Sequence, residues 1–135
     1  MGVIHRGSCL CAGVRYEYSG EFGRFSLCHC SHCRKAQGSA FVAVLPVNVA
    51  EFKLIQGQDL LKAYSASPGK ERLFCGTCGS PLFSRSQSRP DVLRLRVGTL
   101  DTPIRRKPQL HQFVASKADW YDIHDDLPQY AERPV

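Results

Sequence analysis

No apolar run in this sequence approaches the ~18 residues needed to span a bilayer, so no membrane-crossing helix and no membrane partner are expected. The opening stretch Met1 to Leu10, MGVIHRGSCL, lacks the apolar h-region of a secretory signal, and Arg6 stands where a myristoylation motif wants Ser or Thr. A cytoplasmic location is expected instead. Repeats, linkers and low-complexity tracts are also missing, and 135 residues leave no room for a second domain, so a single domain over 1–135 is expected. No long stretch carries helical periodicity. RNP, helix-turn-helix and finger spacings are absent too, which leaves the +6 formal charge, the pI near 9.1 and one arginine-bearing strand as the nucleic-acid signal.

Cysteine is what the chain has in excess. Seven residues form three clusters, Cys9-x-Cys11, Cys28-x-Cys30-x-x-Cys33 and Cys75-x-x-Cys78. An odd count cannot be consumed by intramolecular disulfides, and without an export signal the thiols are expected to be reduced. Reduced, clustered cysteines point to metal. Zinc, with Zn–S bonds of about 2.3 Å, holds tetrahedral sulfurs under ~4 Å apart, so ligands from one segment must aim together. Residues i and i+2 on extended chain share a face, which suits Cys9 and Cys11. In Phe74-Cys75-Gly76-Thr77-Cys78-Gly79, two glycines permit the positive φ of a tight knuckle.

The middle cluster, Cys28-His29-Cys30-Ser31-His32-Cys33, packs both spacings into six residues, so its three sulfurs can converge on one ion unaided. The other two pairs total four thiolates, the complement of a closed structural zinc, whereas three plus an open position is the catalytic pattern. Pairing Cys9 and Cys11 with two of the middle cysteines is also arithmetically possible, but strands a thiolate. A closed Cys₃His site is the plainer reading of the tripod, with His29, His32 or the more distant His5, His111 or His124 as fourth ligand. Iron–sulfur ligation is a further alternative that the glycine-flanked knuckle disfavours.

Between the clusters the chain reads as β. Val14, Tyr16 and Tyr18 alternate with Arg15 and Glu17, and Leu93, Leu95 and Val97 with Arg94 and Arg96. Further strands are expected over Phe41–Val47, Phe52–Gln56, Leu60–Ser65, Glu71–Phe74 and Pro81–Arg85. One helical turn is expected over Arg34–Gln37, and another short turn after Ser116 near Trp120. Arg94 and Arg96 read either as a basic patch or as a solvated outer strand face. The charge signal itself shrinks on metal loading: seven thiolates and two zinc ions together subtract three, taking +6 to +3.

These residues resemble the glutathione-dependent formaldehyde-activating enzyme family, which includes the centromere-protein-V-like proteins. The similarity runs from Gly7-Ser8-Cys9-Leu10-Cys11-Ala12-Gly13-Val14-Arg15-Tyr16 through the tripod with Arg34-Lys35, Gly38-Ser39-Ala40-Phe41 and the second knuckle. It closes on His111-Gln112-Phe113-Val114, Ser116-Lys117-Ala118, Trp120 and Leu127-Pro128. The resemblance implies an all-β, Mss4-like fold of short antiparallel strands, with structural zinc at Cys9, Cys11, Cys75 and Cys78 and catalytic zinc at Cys28, Cys30 and Cys33. It further implies a carbon–sulfur lyase that joins glutathione to formaldehyde as S-hydroxymethylglutathione.

An open position on a three-thiolate zinc suits capture of a substrate thiol as thiolate beside an aldehyde carbon. Three thiolates leave the ion electron-rich, favouring delivery of bound thiolate over generation of hydroxide. Arg34 and Lys35 are candidates to attract the carboxylates of a glutathione-like thiol, and Lys117 lies in the closing segment as a third substrate-binding candidate. The competing class is a non-catalytic zinc-stabilised module that binds protein or nucleic acid; its sign would be a histidine as fourth ligand of the tripod zinc.

Overall fold

The computed structural model describes residues 2–134; Met1 and Val135, the two ends of the expected domain, lie outside the described residues. Its elements in chain order are β1 (His5–Ser8), β2 (Arg15–Tyr18), β3 (Ser26–Cys28), α1 (Ser31–Gln37), β4 (Val42–Asn48), β5 (Phe52–Gln56), β6 (Leu61–Ser67), β7 (Lys70–Cys75), β8 (Pro81–Ser86), β9 (Arg89–Arg96) and β10 (Leu110–Gln112). Strands β1, β2 and β5 make a small antiparallel sheet. The other seven form a larger sheet in the order β10-β3-β4-β9-β8-β7-β6, antiparallel except for the β10–β3 pair. The expected all-β class, mainly antiparallel, is what the chain adopts, consistent with the Mss4-like architecture that the resemblance implies.

Tyrosines and aliphatic residues at alternate positions join the two sheets. Tyr16 and Tyr18, on one face of β2, are 1% and 0% exposed and pack with Val47, Leu73, Phe83, Leu93 and Leu95 from the inner face of the large sheet. Tyr16 stacks on Phe52 of β5, which meets Phe83 of β8 edge-on. Buried tyrosines need a partner for the hydroxyl, and each has one: Tyr16 pairs with Thr99 at 2.7 Å, and Tyr18 accepts from the Asn48 amide at 3.1 Å.

The opposite face of the large sheet lines a cavity. Register sets Arg72, Ser84, Arg94 and Pro46 side by side across β7, β8, β9 and β4, and sets Lys70 beside Ser86 and Val44 beside Arg96. Because side chains alternate along a strand, every one of these shares the face that turns away from the Leu73–Phe83–Leu95 rung. This corrects one reading of the sequence: Arg96 is buried and Arg94 half-buried, so the basic positions of β9 floor a cavity and do not form a solvated outer face.

The expected strand over Phe52–Gln56 is present as stated, the other strands given bounds shift by one or two residues, and the strand read from the alternation at Leu93–Val97 begins earlier, at Arg89. Val97 leaves the alternation and enters a 3-10 turn, Val97–Thr99. The single turn expected over Arg34–Gln37 is a longer helix that begins at Ser31. Its N-cap is Cys30, whose sulfur accepts from the Cys33 amide at 3.3 Å, and its end is closed by Gly38 at φ 65°. The short turn expected after Ser116 near Trp120 is present, closed by the Tyr121 amide on the Ala118 carbonyl at 3.3 Å, and a 3-10 turn at Val114–Ser116 precedes it. Strands β1, β3 and β10 were not foreseen.

Candidate metal centres and their cavity

Two knuckles from different sheets meet to form the first sulfur group. Cys9 follows β1 and Cys11 lies before β2, in a turn closed by Ala12 N–H to the Cys9 carbonyl at 2.9 Å, with Ala12 at φ 62°. Cys75 ends β7, and Gly79, at φ 81°, returns its amide to the Cys75 carbonyl at 2.8 Å. Of the two glycines expected to supply positive φ here, Gly79 does so and Gly76 does not. Gly76 is needed for room, since a Cβ there would lie 3.0 Å from the Leu60 carbonyl oxygen and 2.9 Å from the Lys62 chain. The Leu10 amide donates to the Ser80 hydroxyl at 2.9 Å, lacing one knuckle to the other.

The sulfurs of Cys9 and Cys11 are 3.6 Å apart and those of Cys11 and Cys75 are 3.8 Å apart, and all four, with Cys78, lie within 4.8 Å of one another. Tetrahedral zinc thiolates sit about 3.8 Å apart, so the donor set fits that ion. Backbone amides already point at the sulfurs: Val14 N–H reaches Cys9 at 3.2 Å and Thr77 N–H reaches Cys75 at 3.4 Å. The neighbouring Ser80, through its hydroxyl and its amide, holds the Cys78 thiol down at about 5, favouring thiolate.

Cys28, Cys30 and Cys33 form the second group, their sulfurs also within 4.8 Å of one another. Cys28 ends β3, Cys30 caps α1 and Cys33 sits one turn into it, so a strand-to-helix junction gathers the three without a distant segment. Hydrogen bonds from the Cys28 and Cys33 thiols, then the Cys33 amide and the Arg72 charge, hold the Cys30 thiol far below its ordinary range, and Cys28 is pushed up by the same sharing. The Arg72 guanidinium stands 4.0 Å from the Cys33 sulfur. Among the described residues no histidine nitrogen or carboxylate joins either sulfur group.

The histidines have other partners. His29, fully buried, turns to His111, Nε2 to Nδ1 at 2.8 Å, and His111 in turn meets the Asp125 carboxylate at 3.0 Å. Burial, followed by His111, Lys117 and Arg34, pushes His29 down to about 4. This His29–His111–Asp125 chain pins the closing segment against the back of the tripod, beside Phe41 and Tyr121.

The tripod opens on a cavity of about 630 Å³ floored by the cationic face of the large sheet. Lys70, Arg72, Arg89, Arg94 and Arg96 line it, together with Arg133 from the C-terminal segment. The three cations expected to bind substrate are elsewhere. Arg34 donates to the Ser116 carbonyl at 3.2 Å, Lys117 donates to the carbonyls of Ala118 and Tyr121, and Lys35 is exposed; none of them lines the cavity. The sequence did carry a signal for the true lining. Lys70 and Arg72, like Arg94 and Arg96, stand two apart on strands that carry Leu73 or Leu93 and Leu95 on the other face, with no acidic residue between or beside them on their own face.

Comparison with known proteins agrees with this picture. The chain matches the family described as "Glutathione-dependent formaldehyde-activating enzyme" over residues 4–116. An uncharacterized lyase of Schizosaccharomyces pombe is 29% identical over 79 residues, 58% of this chain and 56% of that protein, so the chain aligns with little more than half of that relative's length. The crystal structure of a Rhodobacter sphaeroides protein shares the fold, with a TM-score of 0.61 at 23% identity, over 75% of this chain and 92% of that one. The family match takes in both sulfur groups, from Cys9 to Cys78, and on it the chain belongs to the glutathione-dependent formaldehyde-activating enzyme family.

Proposed function

We propose that this chain is a single-domain cytoplasmic zinc enzyme of the carbon–sulfur lyase type, which adds a small anionic thiol of glutathione's kind reversibly to formaldehyde or another small electrophile. In this reading Cys9, Cys11, Cys75 and Cys78 hold a structural zinc, and Cys28, Cys30 and Cys33 hold a catalytic one. The observation that carries it is the contrast between the two sulfur groups: four donors complete one, whereas three donors of the other face a cavity with no fourth ligand from the described residues. The family match and the relative named a lyase support the same class.

A zinc ion held by three thiolates supplies a position at which a thiol is bound as its thiolate. The chain's own residues do the rest. Arg72, beside Cys33, and buried Arg96 set a positive field at the tripod mouth that favours an incoming anion. In the net reaction the S–H bond breaks and a C–S bond forms. The carbonyl π pair passes to oxygen, which takes up a proton, so that RSH and H₂C=O give RSCH₂OH. The anion-holding role expected of Arg34, Lys35 and Lys117 passes in this proposal to the cavity cations.

The test is cobalt substitution. With glutathione added, sulfur-to-cobalt charge-transfer absorption intensifies. Cys33→Ser removes that response while the four-cysteine signal persists, and formaldehyde is consumed in a thiol-dependent way above the uncatalysed rate. No spectral response to any thiol in protein retaining both metals defeats the proposal.

A further inference from the structure

The cavity is more one-sided in charge than a glutathione site requires. No Asp or Glu lines it. Arg85 at its edge is already paired with Glu71 at 2.8 Å, but Lys70, Arg72, Arg89, Arg94, Arg96 and Arg133 have no ion pair among the described residues. Two zinc charges and three thiolates make the tripod one net negative charge, so six cations leave a cavity excess of about five positive charges.

Folding has concentrated that charge at a cost. Arg96 is 5% exposed, and its Nη1 is met by the Ser84 hydroxyl at 3.2 Å and the Arg94 carbonyl at 3.0 Å, neither of them anionic. A guanidinium buried with only the tripod's shared thiolates as counter-charge is expensive, and a ligand anion would relieve it. Neighbouring groups respond in the same sense. Burial pushes Arg96 down to about 10, and burial together with Arg94 and Arg72 lowers Lys70. Serines at 84, 86 and 88 stand among the cations as hydrogen-bonding partners for ligand oxygens.

Glutathione matches this lining in part. Its two carboxylates and thiolate are welcome, but its ammonium meets a wall of like charge and no carboxylate. We propose that the cavity selects a thiol bearing two or more anionic groups and no ammonium, a dicarboxylic thiol of the mercaptosuccinate kind, in preference to glutathione. Lys70 and Arg94, half-buried on neighbouring parts of the floor, are its specificity-determining residues. This rests on the proposal that thiol is the tripod's ligand, though on different residues.

Calorimetric titration of the holo protein at low ionic strength tests it, with glutathione, N-acetylglutathione and mercaptosuccinate as probes and the S-methyl forms of the two glutathiones beside them. Removing the ammonium while keeping the thiol and carboxylates is expected to tighten binding about tenfold, a few like-charge contacts at screened range. Mercaptosuccinate is expected to bind at least as tightly as N-acetylglutathione. The preference shrinks toward onefold in 0.5 M salt and in the Arg94→Gln and Lys70→Gln variants, whose half-buried side chains can change without emptying the core. If the S-methyl pair keeps the ranking while cobalt protein ignores every thiol, the anion selection stands and the thiol chemistry falls. Glutathione binding as tightly as its N-acetyl form overturns the inference, even where cobalt responds.

Discussion

Replacing Cys75 should unfold this protein, and replacing Cys30 should not. Cys75 is 0% exposed, and its sulfur lies 3.8 Å from that of Cys11, 64 residues away in sequence. The first knuckle belongs to the small sheet and the second to the large one, so an ion shared by them clips the two layers of the core together. Treated as a cross-link of that span, the clip removes about 4 kcal/mol of chain entropy from the unfolded state. Structural zinc as a whole is worth about 10–16 kcal/mol, against the ~5–15 kcal/mol that holds a typical domain. Cys75→Ser should therefore lower the melting temperature by on the order of 15 °C, or yield no folded protein. Cys30 is different in kind. It closes a six-residue segment and its sulfur caps α1, a role for which serine is well suited, so Cys30→Ser deletes a thiolate while preserving the helix start. A loss within about 1 kcal/mol is expected. Thermal melts of both variants, with zinc measured on the same samples, decide the matter. Equal loss in the two would refute the division between a structural and an open group.

Three further outcomes are expected. Protein purified without chelator should carry close to two zinc ions, falling to one in Cys30→Ser; a single ion in fully folded wild type would contradict the four-plus-three division. His29 ordinarily titrates at 6.5 and is held at about 4 here, so between those values the unfolded chain binds the extra proton. Stability should then fall by about 2–3 kcal/mol as pH drops from 6.5 to 4. Urea melts across this range should show a shallower fall in His29→Gln, and parallel curves would sink the assignment. Gly57→Ala should cost several kcal/mol, since Gly57 has φ 88° and a Cβ would press within 2.8 Å of Val14 Cα, forcing apart the turn that bears Cys9 and Cys11; a wild-type melt would show the turn to be compliant.

The sulfur groups were legible because ligand spacing is local chemistry: Cys28, Cys30 and Cys33 can be gathered by one junction, which leaves two pairs for the other ion. The strictly alternating strand Arg15–Tyr18 was legible for the same reason, and Phe52–Gln56 from the turn residues that bound it. What escaped has non-local causes. Ser26–Cys28 is buried on both faces and Leu110–Gln112 buries a histidine and a glutamine, so neither shows a period of two. The pairs Lys70/Arg72 and Arg94/Arg96 were each visible along the chain, but that they share one floor depends on strand register, which the sequence does not report. Arg34 and Lys35 seemed natural ligands by adjacency to Cys33, yet helix α1 carries them away from the cavity.

The separation of 64 residues between the two halves of the first sulfur group also sets an order of events during synthesis. Five of the seven cysteines leave the ribosome before Cys75 exists, and among them the tripod is already a complete set of three donors. Cys9 and Cys11, translated first, must wait for their partners while a competing three-sulfur chelator hangs nearby. A nascent chain that meets metal early can therefore bridge the first pair to the tripod, a knot that the finished fold must undo. On the proposed four-plus-three division, metal supply during translation, and not only afterwards, would bear on how much of the protein reaches that partition.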